Sequence, residues 1–325
     1  MRVSVVIPTF RRGKSLARTL GALTAQALPA HEIIVVDQNE AGWLENEVGA
    51  DLSAAIVHWT PQPNASAARN FGFVRSSGDL VLFIDDDLIP EPDFLSEGVS
   101  RLCANPEVGC LAPLVVTDET NVAEAARHAR SQALREHPMA RGVLAMPSVI
   151  SAAMFFRRET YEKSGGFDEL LFDFARAGED QELCFRMRAR GLDVWLDTSL
   201  AVFHDETTPG GCELRTQPYW QSRERAIRSN VLRARLHARG RIQPGPMIRL
   251  VRSAFLNSAM ARNPPLWTLR NARLLARALV DSKSMLQELA MEVEDYRVVD
   301  HLRRHHEDLG VCRQSQASGP PAAPP

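Results

Sequence analysis

The sequence predicts a doubly wound α/β fold on a mostly parallel sheet, followed by a helical C-terminal extension. Three observations carry this. Short, apolar, β-branched runs recur through the first hundred residues, stretches of helical spacing separate them, and polar residues fall where the runs end. Ligands of open sheets collect at the carboxyl ends of the strands, so the pattern also predicts where a site should lie.

VSVVIPTF (3–10) and EIIVVDQ (32–38) read as the first two strands, bounded by turn formers. Between them Leu16, Leu20 and Leu23 recur at helical spacing. AIVHW (55–59) is a weaker strand. SAARNFGFVRSSG (66–78) reads as a helix stopped by Ser-Ser-Gly, and DLVLFIDDD as the next strand. Pro8-Thr9-Phe10, Asp37 and Asp85-Asp86-Asp87 then converge from separate strand ends on one rim. EPDFLSEGVSRLCANP (91–106) is a helix opened by acids, and GCLAPLVV a further strand. Residues 118–142 suggest a helix or an excursion. SVISAAMFFRR (148–158) is a strand, and EDQELCFRMRARG (179–191) a helix with Leu183 and Met187 on one face. VWLDTSLAVFHDE supplies two short extended pieces.

Hydrophobic content of 45% with 24% charge is that of an ordinary globular protein. No run approaches 18 apolar residues, so no transmembrane helix is predicted. The N-terminal run is short, meets Pro8 and fits a first strand better than a signal peptide. Five cysteines without CxxC spacing argue against a disulfide framework or zinc site, and for a reducing cytosol. The net charge of −2 hides an asymmetry: from Arg215 to Val280 there are 14 arginines and a single acid, Glu224. Such a region either pairs with the acidic part of the chain or meets an anionic partner. In QSRERAIRSNVLRARLHARG (221–240), Ile227, Val231 and Leu236 share one face, the pattern of a basic interfacial helix on anionic lipid. No recognition motif accompanies the charge, so nucleic acid is not expected. A later helix from Leu274 to about Arg304 has apolar residues in both packing and surface registers, a candidate dimer contact. The Pro-rich end reads as disordered.

Three adjacent acids often decorate a surface or cap a helix, but these follow the strand LVLFI directly. At a strand exit Asp85 and Asp87 would point one way and Asp86 the other. Two carboxylates on one side suit Mg²⁺ or Mn²⁺. A haloacid dehalogenase-type DxDx[TV] motif belongs on a first strand and has Thr or Val where this chain has Ile89. Receiver domains gather their other acids near the N-terminus, where this chain has none.

In order along the chain, VSVVIPTFRR, EIIVVDQ, NASAARNFG, LFIDDDLIP, SGGFDE with GEDQELCFRMRARG, and VFH resemble the motifs of family 2 glycosyltransferases. The resemblance runs from Val3 to about Asp205. It implies the Rossmann-like GT-A fold and an inverting enzyme that uses a nucleotide-diphospho-sugar. It places Pro8, Thr9, Phe10, Arg11, Asp37, Arg69, Asp85 and Asp86 on the donor side. Asp85, Asp87 and His204 become the ligands of Mn²⁺ or Mg²⁺, and Asp180, beside Glu179, the general base. A helix N-terminus favours ionised Asp180 by roughly 0.3–1 kcal/mol, and repulsion from Glu179 is expected to offset that loss of basicity. On local sequence alone, Glu179 and Asp180 read equally as helix-capping acids, His204 as a satisfied, partly buried histidine, and Arg69 as a partner of surface acids. Phe10 and Trp195 read as core; Trp220 is a candidate for an acceptor groove.

The implied organisation is a GT-A domain over 1–215, with a nucleotide-sugar half (1–115) and an acceptor half (116–215). An Arg-rich helical extension (216–312) and a tail (313–325) follow. The implied partners are the donor and a saccharide, lipid-linked or small-molecule acceptor, with the protein in the cytoplasm or peripheral at the inner membrane face. Two departures stand out. Asp37 precedes Gln38-Asn39-Glu40 instead of the usual Gly-Ser, and Gln-x-x-Arg-Trp is absent, which favours transfer of one or a few sugars over polymerisation. A GT-A-like sugar nucleotidyltransferase is the first alternative, with Arg11-Arg12-Gly13-Lys14 as a partial imitation of its phosphate loop. A non-catalytic nucleotide-binding homologue is the second.

Overall fold

The computed structural model of the chain describes residues 1–48, 55–58, 63–117, 121–136, 142–169, 178–205, 211, 224–225, 227–228, 231 and 269–282. Alternating strands and helices fill its first part: β1 (Val3–Thr9), α1 (Gly13–Thr24), β2 (Glu32–Asp37), α2 (Trp43–Val48), β3 (Ala55–His58), α3 (Ala65–Arg75) and β4 (Leu80–Ile84). A short β5 (Leu88–Pro90), α4 (Phe94–Ala104) and β6 (Val108–Val116) follow. Next come α5 (Val122–Gln132), β7 (Arg135–Glu136), β8 (Val143–Ala145), β9 (Ala153–Arg157) and α6 (Arg158–Ser164). The last elements of the sheet domain are α7 (Glu179–Ala189) and β10 (Asp193–His204).

These strands form one sheet in the order β3-β2-β1-β4-β9-β6-β10-β8-β7, with β5 paired to β10 off that path. The first four are mutually parallel, as are β6 and β10. β9 runs antiparallel between β4 and β6. Strand order reverses between β1 and β4, and this switch point is where such sheets bind ligands.

The apolar strands are continuous because both faces of the sheet are covered. Val5, Ile7, Leu82, Ile84 and Phe155 pack with Leu16, Leu20 and Leu23 of α1 and with Phe94 and Leu102 of α4. Val6, Phe83 and Phe156, pointing the other way, pack with Phe71 and Phe73 of α3 and with Leu183 and Met187 of α7. The expected helix faces are therefore the ones buried. Close approach is enforced by glycine on each side. A Cβ on Gly72 of α3 would lie 2.4 Å from Val6, and one on Gly98 of α4 would lie 2.5 Å from the Phe155 ring.

Local readings shift at three places. Within 118–142 the described residues form α5 and β7, and β7 pairs with β8. The strand expected over 148–158 is confined to Ala153–Arg157, the part that pairs with β4. VWLDTSLAVFH lies in one twelve-residue strand, Asp193–His204, instead of two pieces, with its register against β6 shifting between Asp197 and Ala201. There Asp197 Oδ1 accepts from the Ser199 backbone N–H and hydroxyl, the local bonding that sustains a bulge.

Of the Arg-rich stretch, Ile227 and Val231 are buried against Ala278, with Leu274, Leu275 and Leu279 around them. The apolar face read as lipid-seeking is thus covered at these two positions by the helical stretch 269–282; Leu236 and Trp220 lie outside the described residues. Arg228 pairs with Glu224 and Asp281, so part of this charge is answered within the chain. Among the described residues no helix is long and apolar enough to cross a membrane.

Candidate active site

At the end of β4 the chain leaves the extended conformation and turns at Asp86-Asp87 before entering β5. The alternation expected of a strand exit therefore fails. Asp86 and Asp87 share one cation, Arg12, while Asp85 takes another, Arg69. Asp86 Oδ2 accepts from the Thr9 hydroxyl at 2.6 Å and Oδ1 from Arg12 Nη1 at 3.2 Å; its carbonyl accepts from Thr19 on α1. Asp87 Oδ2 accepts from Arg12 Nη1 and lies 3.0 Å from His204 Nε2. Asp85 Oδ1 accepts from Arg69 Nη2 at 2.7 Å.

His204 arrives by pairing. β5 runs antiparallel to the end of β10, which sets His204 opposite Leu88, and the Asp205 N–H closes onto the Asp87 carbonyl at 2.8 Å. Arg12 arrives by a backbone twist. Arg11 is, among the described residues, the one non-glycine residue with positive φ (+56°), directly before the α1 N-cap at Arg12. Sequence reading gave Arg12 a place only in the nucleotidyltransferase alternative, as part of a partial phosphate loop. The usable signal was the acids themselves: buried carboxylates demand cations, and a basic run leaves the neighbouring strand at the same rim.

Burial pushes the Asp86 carboxyl up to about 7, helped by Asp87 and Asp85 and opposed by Arg12 and Thr9. Burial also raises Asp85, against the pull of Arg69. Arg12 is held above the usual guanidinium range because the carboxylates outweigh its own burial. An unfolded aspartic acid titrates at about 3.9, so Asp86 stabilises the fold fully below about pH 4 and that contribution is lost as pH rises through about 7. The isosteric Asp86→Asn is expected to flatten this part of the profile, so that its melting temperature falls less than wild type over that interval.

At the β2 end of the rim, Asp37 is fully buried, and its Oδ1 accepts from the backbone and side-chain N–H groups of Asn39. Asn39 Oδ1 in turn accepts from the Arg11 N–H at 2.8 Å. Gln38 Oε1 accepts from the Asn64 N–H at 2.8 Å, tying the α3 N-cap to the rim. The Gln38-Asn39 departure from Gly-Ser thus has a structural use. Phe10 is half-buried and belongs to neither core cluster, contrary to the core expectation, and Arg11 lies over its ring. Pro8 lies within β1 beside Val36. Trp195 is fully buried core, as expected.

Toward α7, Arg69 is 3% exposed, donates to Asp85, lies 5.1 Å over the Phe167 ring and feels the charge of buried Glu179. It links the Asp85–Asp87 turn to the start of α7. Asp180 is half-buried on the first turn of α7, with Oδ1 accepting from the Gln181 N–H. The Gly165-Gly166-Phe167 loop hangs on Asn70, whose Nδ2 donates to Phe167 O and Glu169 Oε1 while Oδ1 accepts from Tyr161 OH and the Phe167 N–H. Gly166 has φ +68°, and a Cβ there would lie 2.8 Å from Asn70 Oδ1. Asn70→Ala strands several buried polar groups at once and is expected to cost about 3 kcal/mol in urea unfolding, against about 1 kcal/mol for Tyr161→Phe.

Among the described residues, no group of three or more His, Cys, Asp or Glu side chains is arranged to hold a metal ion. Two groups do fit one. Asp87 and His204 touch, and Asp87 Oδ1 is buried with no hydrogen-bond partner among the described residues. One carboxylate with few other protein ligands is the usual holding of Mg²⁺, which fills its shell with water and phosphate.

A doubly wound sheet with an acidic cluster at its switch point is the architecture of a GT-A enzyme. Residues 4–165 match the model of glycosyl transferase family 2. The chain is 30% identical over 244 residues to the O-antigen biosynthesis protein RfbC of Myxococcus xanthus, covering 68% of this chain and 19% of that one. It is 30% identical over 213 residues to a pre-mycofactocin glycosyltransferase of Mycobacterium tuberculosis, covering 63% and 43%. The chain therefore spans less than half the length of these curated relatives. Among solved structures, mannosyltransferase PcManGT from Pyrobaculum calidifontis, in complex with GDP-Man and Mn²⁺, superposes with a TM-score of 0.54. Its identity is 19%, over 95% of this chain and 84% of that one. S. aureus TarS 1–349 gives 0.54 at 15% identity, over 95% and 91%. These two show the shared fold. The chain belongs to glycosyl transferase family 2.

Proposed function

We propose that the chain is a metal-dependent, inverting glycosyltransferase that moves a sugar from a nucleotide-diphospho-sugar to an acceptor hydroxyl, one or a few sugars at a time. The observation that carries this reading is the single rim on which Thr9, Asp86, Asp87 and His204 meet, joined through Asp85 and Arg69 to Glu179 beside Asp180. The PcManGT complex with GDP-Man and Mn²⁺ supports it by likeness of fold.

In this reading Asp87 and His204 hold Mn²⁺ or Mg²⁺, which when bound neutralises the charge gathering on the departing nucleoside diphosphate. Asp37, fixed by Asn39, orients the base, and Arg69 fixes Asp85 on the donor side. Asp180 takes the proton from the acceptor hydroxyl as that oxygen attacks the anomeric carbon from the face opposite the diphosphate. The nucleotidyltransferase alternative loses support because Arg12 is turned onto Asp86 and Asp87, away from the role of a phosphate loop.

The test is a panel of nucleotide-sugars with Mn²⁺, Mg²⁺ or chelator, reading thermal shift and donor hydrolysis. One donor is expected to raise the melting temperature and to be cleaved to nucleoside diphosphate when the cation is present. Release of pyrophosphate from a sugar phosphate and a nucleoside triphosphate would point instead to the nucleotidyltransferase. Binding with no cleavage under any acceptor would leave a nucleotide-binding homologue.

A further inference from the structure

We propose that Arg12 is the resident counter-cation of the Asp86–Asp87 pair, and that a divalent cation gains Asp87 only by displacing its guanidinium. The proposal rests on the metal-dependent reading above and deepens it.

Arg12 is 8% exposed. A single nitrogen, Nη1, serves both carboxylates, reaching Asp86 Oδ1 at 3.2 Å and touching Asp87 Oδ2. Nε is buried with no hydrogen-bond partner among the described residues, so the guanidinium is not locked by the two-pronged pairing that makes Arg–carboxylate bonds tight. It is held instead by position. The positive φ of Arg11 turns Arg12 inward, and Gly211 closes over it with its N–H bonded to the Phe10 carbonyl. A Cβ on Gly211 would lie 2.9 Å from the Arg12 guanidinium, so the glycine lies directly against it.

Asp87 Oδ2 already faces both Arg12 and His204. A guanidinium and a divalent ion on the same buried carboxylate would repel strongly where the local dielectric is low. The two cations are therefore alternatives at Asp87, and the acids are neutralised whichever is bound. Arg12 keeps the empty-handed rim folded and sets a threshold for metal entry.

The test is binding of Mn²⁺ alone to the full chain, followed by calorimetry and by the EPR signal of free Mn²⁺. Arg12→Gln is expected to bind Mn²⁺ about ten-fold tighter than wild type or more, because the competitor is gone. Arg12→Lys, which keeps the charge, should lie between them. Adding Asp87→Asn to Arg12→Gln should abolish the gain. An unchanged or weaker affinity in Arg12→Gln overturns the proposal, as does a gain that survives Asp87→Asn.

A second measurement uses wild type and does not depend on the variant's stability. The Arg12 Nε–H resonance, assigned by its loss in Arg12→Lys, should move on saturation with Mg²⁺, and a stationary resonance at saturation overturns the proposal. If neither wild type nor Arg12→Gln binds Mn²⁺, competition is refuted. The transferase reading is then judged separately, by donor cleavage in the presence of chelator.

Discussion

Asp180→Asn is expected to keep donor binding and lose transfer by about 10²–10⁴-fold, the usual share of a positioned general base. The substitution is chosen to separate chemistry from structure. Asp180 is half-buried on the first turn of α7, and its Oδ1 accepts from the Gln181 N–H, which an amide oxygen can still do. What the amide cannot do is take a proton from the acceptor. The rim proposed to hold the nucleotide is formed by other elements, β1, β2 and the β4–β5 turn, so thermal shift by donor and cation should match wild type. The readout is kcat beside donor affinity. Wild-type transfer by Asp180→Asn would remove the base assignment and move attention to Glu179, the other acid of the pair.

Asp87→Ala is expected to abolish the metal dependence of nucleotide binding. The side chain removed is the one carboxylate that meets both His204 and Arg12, and it carries the buried oxygen with no hydrogen-bond partner among the described residues. Its loss leaves His204 as an isolated ligand and Arg12 with Asp86 alone. Protein stability should fall only modestly, because Asp86 still neutralises Arg12 and one like-charge repulsion disappears. Calorimetric titration of nucleotide with and without Mn²⁺ reads the effect directly. Unchanged metal dependence in Asp87→Ala would show that the cation is held elsewhere. The two variants are expected to fail differently: Asp180→Asn by binding without turnover, Asp87→Ala by losing the proposed cation.

Much of the fold could be read from the chain because local periodicity and burial agreed. Leu16, Leu20 and Leu23 on α1, and Leu183 and Met187 on α7, recur at helical spacing and are all buried against the sheet. VVIP (5–8) and LVLFI are apolar throughout because helices cover both faces of their strands. The motif residues of the rim were also legible, since strand ends in such sheets are where ligands collect. VWLDTSLAVFH misled because Asp197 and Ser199 look like a strand break, yet they satisfy each other at a bulge and the strand continues. Phe10 misled because an aromatic beside a strand looks like core until the turn after it carries it to the rim.

By itself, then, the sequence determined the doubly wound domain, the buried faces of α1 and α7 and the rim at which Asp37, Asp85–Asp87 and His204 lie. These depend on spacings of two and 3.6 residues and on strand ends, all properties of nearby residues. Only the tertiary structure decided which cation answers which acid. Arg12 reaches Asp86 and Asp87 across 74 and 75 residues, Arg69 turns to Asp85, and His204 meets Asp87 across 117 residues. The Arg12 pairings follow from β1 lying beside β4 and the His204 pairing from β5 lying beside β10, and a contact made by strand neighbours far apart in the chain leaves no periodic trace in it.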